Sequence, residues 1–211
     1  MHLNMPLRAW PRPALAALLL GLCALVLSAC AEQRWASEAE VQAARYSHGG
    51  APELTLVTIM HYDSGRGDHT ALFINGTERV IFDPAGSWTL DTIPERNDVH
   101  FGMTPAAGAS FYASHVRDTH YAVVQRVVVS PEVAARAMTL ALQIGPVPPA
   151  RCASATSALL RQLPGFEGLG STFFPQVLMR DFATLPGVIT HELHQDAPDY
   201  QAKMLAVQRP L

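Results

Sequence analysis

Apolar positions along the chain fall into three regimes. The first is an unbroken run, Ala14–Ala29 (ALAALLLGLCALVLSA), preceded by Arg8 and Arg12. Its 16 residues fall short of the about 20 that a membrane-spanning helix needs. A positive flank before a short apolar core predicts a targeting segment, removed from the mature chain and excluded from the fold. The second regime, residues 31–51 (AEQRWASEAEVQAARYSHGGA), is polar and small-residue-rich and ends in Gly49-Gly50. It predicts a partly helical tether.

From Leu54 the pattern is that of a mixed domain. Leu54–His61 (LTLVTIMH), His69–Ile74, Thr77–Asp83, Tyr121–Val129 and Val188–Leu193 are β-branched-rich runs and predict strands. Asn75-Gly76 between the second and third is a hairpin turn signal. Helices are predicted over Pro105–Arg117, weakened by Gly108, and over Pro131–Ile144, where Ser130 is the N-cap and Pro131 the first helical residue. Two more are predicted over Cys152–Leu163 and Gln176–Leu185. Beyond Asp196 no clear periodicity remains, which predicts a loose tail. The expected organisation is a leader at 1–29, a tether at 30–51, one α+β domain at 52–195 and a tail at 196–211.

Composition narrows the functional classes. The chain has 211 residues, 49% of them hydrophobic, and a net charge of −3 with no Lys/Arg run. A surface that neutralises phosphates is therefore excluded, and with it nucleic acid as a partner. Three cysteines are too few and too odd in number for a disulfide scaffold or a structural zinc cage. Their positions matter more than their count. Cys23 lies inside the leader. Cys30 ends Leu27-Ser28-Ala29-Cys30, which resembles the bacterial lipobox. That resemblance implies cleavage before Cys30 and its attachment to diacylglycerol and palmitate-type acyl chains, enough to hold a protein on a membrane. Ala31 in the next position implies, by the same likeness, the outer membrane, with the domain facing the periplasm. The processed chain of 182 residues keeps 13 basic and 18 acidic residues, a charge of −5. At that length about 70% of the unfolded surface is buried on folding.

Cys152 is then the single free thiol. It stands behind Pro146-Val147-Pro148-Pro149 at a predicted helix start, followed by small residues. A helix N-terminus carries partial positive charge and unpaired N–H groups, which favour the thiolate. A thiol nucleophile needs a base, and the base needs an orienting group. His69 opens the predicted hairpin and Asp83 closes it. If paired residue numbers sum to 152, the two face each other at about 5 Å between Cβ atoms. A strict two-residue loop makes the sum 151 and puts Asp83 on the other face. The catalytic reading therefore requires a three-residue loop or a bulge near Asn75–Glu78.

The order of these residues resembles a known arrangement. Gly67-Asp68-His69-Thr70-Ala71-Leu72-Phe73-Ile74, followed by Cys152 with Ser157-Ala158-Leu159-Leu160 on its helix, is similar to the circularly permuted NlpC-type branch of the papain-like superfamily, to which the lecithin:retinol acyltransferase-like proteins belong. The resemblance covers about His61–Leu163. It implies a papain-like antiparallel sheet with the cysteine helix packed on it, Cys152 as nucleophile, His69 as base and Asp83 as third residue, with no cofactor. The chain departs from the acyltransferase pattern in having Asp where a His is usual and no Asn before the cysteine. The expected function is a membrane-anchored thiol hydrolase or acyltransferase on amide or ester bonds, with peptidoglycan peptides or lipid acyl groups as substrates. The alternative is a non-catalytic envelope lipoprotein that binds a ligand or partner.

Other motifs carry less. His191-Glu192-Leu193-His194 lacks the four-residue histidine spacing of zinc proteases, and in a strand its histidines point oppositely, so no metal is expected there. His61 and His100 are candidates to line the cleft, Tyr62 is a candidate hydrogen-bond donor, and Arg66-Gly67-Asp68 is a turn before a strand. Phe166, Phe173 and Phe174 are expected in the core, with an acyl or aromatic pocket as the alternative.

Overall fold

The structure, a computed structural model, describes residues 34–211. The predicted leader, Cys23, Cys30 and Ala31 lie outside the described residues. Seven strands form one antiparallel sheet: β1 (Glu53–His61), β2 (Gly67–Asn75), β3 (Arg79–Phe82), β4 (Glu95–Arg96), β5 (Val99–His100), β6 (His120–Val128) and β7 (Ile189–Leu193), in the order β4-β5-β3-β2-β1-β6-β7. Six helices accompany it among the described residues: α1 (Glu38–Ala44), α2 (Pro105–His115), α3 (Pro131–Ile144), α4 (Cys152–Leu160), α5 (Pro175–Phe182) and α6 (Tyr200–Ala206). The class is α+β, as the alternation of periods 2 and 3.6 predicts.

Both faces of the sheet are covered, which is why β1 and β2 read as continuous apolar runs rather than alternating ones. Leu54, Leu56, Leu72, Ile74 and Phe82 face one core, with Ala137 and Ala141 of α3, Leu159 and Leu160 of α4, and Leu178 and Phe182 of α5. Val57, Ile59, Ala71, Phe73 and Val124 face a second core, with Phe111 and Tyr112 of α2 and Met204 of α6. The cysteine-bearing helix α4 lies in the first core; His69, two residues before Ala71 on β2, has the parity of the second.

Two segments differ from their sequence expectation. Residues 34–51 are no tether: α1 carries a complete Ser37–Glu40 capping box, buries Val41 in the first core, and Trp35 forms a bridge with Arg96. Residues 196–211 are no loose tail: α6 buries Tyr200 and Met204, and Val207 follows them into the second core. Both segments are anchored by tertiary contacts that a short helix does not advertise in its period. In the second, Arg126 and Glu53 form a buried ion pair at 2.8 Å, and the Arg126 guanidinium also donates to the carbonyl of Arg209. Gly108, a helix weakener by propensity, is required by the same packing, since a Cβ there would lie 1.9 Å from Oε1 of Gln208.

Met204→Ala should cost about 2–5 kcal/mol in urea unfolding, the range for a large side chain lost from a packed core. A change within about 0.5 kcal/mol, as for an exposed position, would return the segment to a loose tail.

Candidate active site

The site is assembled at one end of β2 by three local decisions of the chain. The first is the hairpin register. Leu72 pairs with Phe82 and Asn75 with Arg79, which leaves Gly76–Glu78 as a three-residue loop. Paired numbers sum to 154, so Asp83 keeps the parity of His69; its direct opposite would be Ala71, and His69 is its diagonal neighbour on the same face. The second is a bulge: Ile59 pairs with His69 but Met60 with Gly67, so Asp68 is the extra residue. Bulges re-aim the side chains beside them, here His69. The third is the stop of β3 at Phe82, beyond which the Thr70 edge of β2 has no strand beside it.

Into that gap comes the N-terminus of α4. Ala150 at φ +63° turns the proline-rich segment into the helix, and Arg151, the N-cap, makes no side-chain capping bond. Uncapped first-turn N–H groups remain open to another acceptor. The Cys152 sulfur stands there, where the backbone N–H groups of Thr70 at the open strand edge and of Ala153 favour its thiolate. The His69 side chain beside Cys152 is the strongest of the groups that favour the thiolate. Nε2 of His69 donates to Oδ1 of Asp83 at 2.6 Å, which leaves Nδ1 for the thiol. Thiol, imidazole and carboxylate thus stand in line.

Electrostatics follow from burial and contact. Burial opposes charge on all three groups. On His69 the Asp83 hydrogen bond and charge, with Cys152 behind them, override it and raise the imidazole to about 10. On Cys152 the His69 hydrogen bond and charge and the two N–H donors override burial and lower the thiol below its ordinary range. Asp83, 1% exposed, is likewise held below the usual carboxylate range by His69 and, more weakly, by His100 and His115. Both shifts favour a thiolate–imidazolium pair over a buried carboxylate.

The Asp83 turn is braced on three sides. Gly86 N–H donates to the Asp83 carbonyl at 3.0 Å, with Ala85 at φ +57°, a conformation that costs a non-glycine residue about 1–2 kcal/mol. A Cβ on Gly86 would stand 2.0 Å from Oδ2 of Asp83 and 2.6 Å from Oδ1. Asp98 ties the turn to the cysteine loop: its carbonyl accepts from Asp83 N–H at 2.8 Å, and its carboxylate accepts from Val147 N–H at 2.8 Å and Ala85 N–H at 3.4 Å. His115, the last residue of α2, stacks on His69 with ring centroids 5.6 Å apart and planes 11° apart, while its Nδ1 donates to the Phe111 carbonyl at 2.8 Å.

The remaining sequence candidates are placed elsewhere. His100 is buried beside Asp83 with its ring against Trp88, so it supports the carboxylate and does not line an opening. His61 packs edge-on against His120, which pairs with Asp68 at 3.0 Å. Tyr62 bonds Nδ1 of His194 at 2.8 Å, and Nε2 of His194 meets Glu192 at 2.9 Å, a cluster apart from Cys152. Phe166 is core, but Phe173 and Phe174 are 56% and 60% exposed, contrary to the expectation for all three. Both follow a turn that bonds α4 through Thr172, and Phe173 lies under the Arg151 guanidinium. Gly86, Asp98 and His115 carry no motif in the sequence, and Thr70 enters only as part of the strand that carries the family resemblance.

No protein-family model, curated protein or solved structure matches the chain.

Gly86→Ala should push the Asp83 carboxylate off His69. In an NMR titration of the imidazole, wild-type His69 should stay protonated until the pH rises through about 10, and in the variant it should lose its proton well below that, toward about 6.5. An unaltered titration would mean that the carboxylate does not hold the charge.

Proposed function

We propose that the protein is a thiol hydrolase or acyltransferase acting on amide or ester bonds. The observation that carries the reading is the alignment of Cys152, His69 and buried Asp83, with Nε2 of His69 bonded to Oδ1 of Asp83 at 2.6 Å and Cys152 beside the same imidazole. A covalent catalyst needs these three parts in this order. The Cys152 thiolate attacks the carbonyl carbon and the carbonyl electron pair moves to oxygen. Collapse breaks the C–N or C–O bond, and the departing amine or alcohol takes its proton from His69. The thioester that remains is attacked by water, or by an alcohol or amine acceptor, whose proton His69 removes as the C–S bond breaks. The positive end of α4 favours negative charge at the reacting centre throughout.

Within the α+β class, a papain-like domain of the permuted NlpC type is the reading this order supports: histidine on a strand, carboxylate after the next strand, cysteine opening a later helix packed on the sheet. Asp83 in the third position can orient an imidazole, and the missing Asn before Cys152 leaves the substrate class open. The lipobox-like segment at Cys30 supports a lipid-anchored protein of the outer membrane facing the periplasm. Peptidoglycan stem peptides are the amides such a location offers, and lipid acyl groups are the rival substrate.

Incubation of the protein with muropeptides and with short-chain acyl esters should release product and, on rapid acid quench, yield an acyl adduct on Cys152 by mass spectrometry. Cys152→Ala should abolish both, and His69→Ala should lower turnover by about 10²–10⁴-fold. Absence of adduct and turnover with both substrate classes, alongside saturable binding of one of them, would favour the non-catalytic envelope protein.

A further inference from the structure

The opening beside the site is asymmetric about the reacting groups. A cleft of about 530 Å³ is lined by His69, Trp88, Ser114, His115 and Arg117 together with the Ala85–Thr89 segment, but not by Cys152. Whatever occupies it lies against the residue that handles the proton, not against the nucleophile. In acyl transfer the group that exchanges a proton with the base is the leaving group, and in the reverse step the acceptor. The acyl part is then left outside this cleft, where Arg151 at the start of α4 holds the exposed Phe173 against its guanidinium.

The chemistry of the lining is specific. It contains no Asp or Glu, three hydroxyl residues, an indole and one guanidinium. Arg117 is exposed, and among the described residues it pairs with no carboxylate, unlike Arg34, Arg66, Arg96 and Arg126. His115 commits Nδ1–H to the Phe111 carbonyl, so its other nitrogen is an acceptor. The cleft therefore offers a fork of cationic donors that fits a carboxylate and an acceptor that fits an N–H.

Resting on the hydrolase reading above, we propose that this cleft is the leaving-group subsite and takes an amine component bearing a free carboxylate, bound by Arg117, with its amide N–H toward His115. The substrate class is then an amide of an amino acid or short peptide whose carboxylate lies on the amine side of the scissile bond.

Two affinity reagents test this through the thiol itself. N-bromoacetyl-glycylglycine and its C-terminal carboxamide alkylate a thiolate identically, with bromide displaced, and differ only in the charge carried on the far end. The second-order rate ratio of acid to amide at Cys152 should be about tenfold or more in the wild type. It should fall to near unity in Arg117→Gln and persist in Arg161→Gln, which alters an exposed arginine at the far end of α4. A ratio unchanged by Arg117→Gln, or near unity in the wild type, would overturn the subsite while leaving the thiolate intact. Failure of wild-type Cys152 to react with either reagent at neutral pH would overturn the thiolate reading and the subsite with it.

Discussion

The hydrogen bond between Nε2 of His69 and Oδ1 of Asp83 is the interaction on which the site depends. A carboxylate as buried as Asp83 is costly to keep ionised without a partner. The imidazolium is that partner, and it in turn makes a thiolate affordable at Cys152. Each charge is unfavourable alone in this environment, and together they are mutually stabilising. Removal of the carboxylate would leave burial to act on the histidine, which would become neutral, and the cysteine would then revert to a thiol.

The surrounding fold supplies what that bond needs, namely a fixed distance and little water. The early end of β3 opens the edge of β2 to the sulfur, and the bulge at Asp68 turns His69 toward both partners. Gly86 leaves room for the carboxylate, and Asp98 holds the Asp83 turn and the loop before α4 with the two oxygens of one residue. The α4 N-terminus packs against β2 and carries no side-chain cap, which leaves the Ala153 N–H to favour the thiolate. The two sides of the sheet contribute unequally: the nucleophile comes from the helix layer of one core and the base faces the other.

Much of this was legible in the sequence. The strand runs at 54–61, 69–74 and 121–129 and the helix starts at Pro131 and Cys152 follow from apolar period, caps and prolines, which are local signals. The need for an odd loop at Gly76–Glu78 followed from requiring His69 and Asp83 on one face. What stayed hidden is tertiary. The packing of α1 rests on Val41 and that of α6 on Tyr200 and Met204, too few to make a period. The bulge at Asp68, the role of Gly86 and the stacking of His115 on His69 depend on how distant segments meet, and no spacing in the chain encodes them. By propensity Gly108 is a defect of its helix, and the reason for it lies in Gln208, a hundred residues later.

The thiolate–imidazolium pair is the central claim, and ultraviolet titration of the Cys152 thiolate tests it most directly, with Cys152→Ser as the blank. The account predicts a wild-type inflection well below the about 8.5 of a free cysteine, and a rise to or above that value in His69→Ala, where burial acts on the thiol with its main counter-charge removed. A wild-type inflection at or above about 8.5, unmoved by His69→Ala, would contradict it.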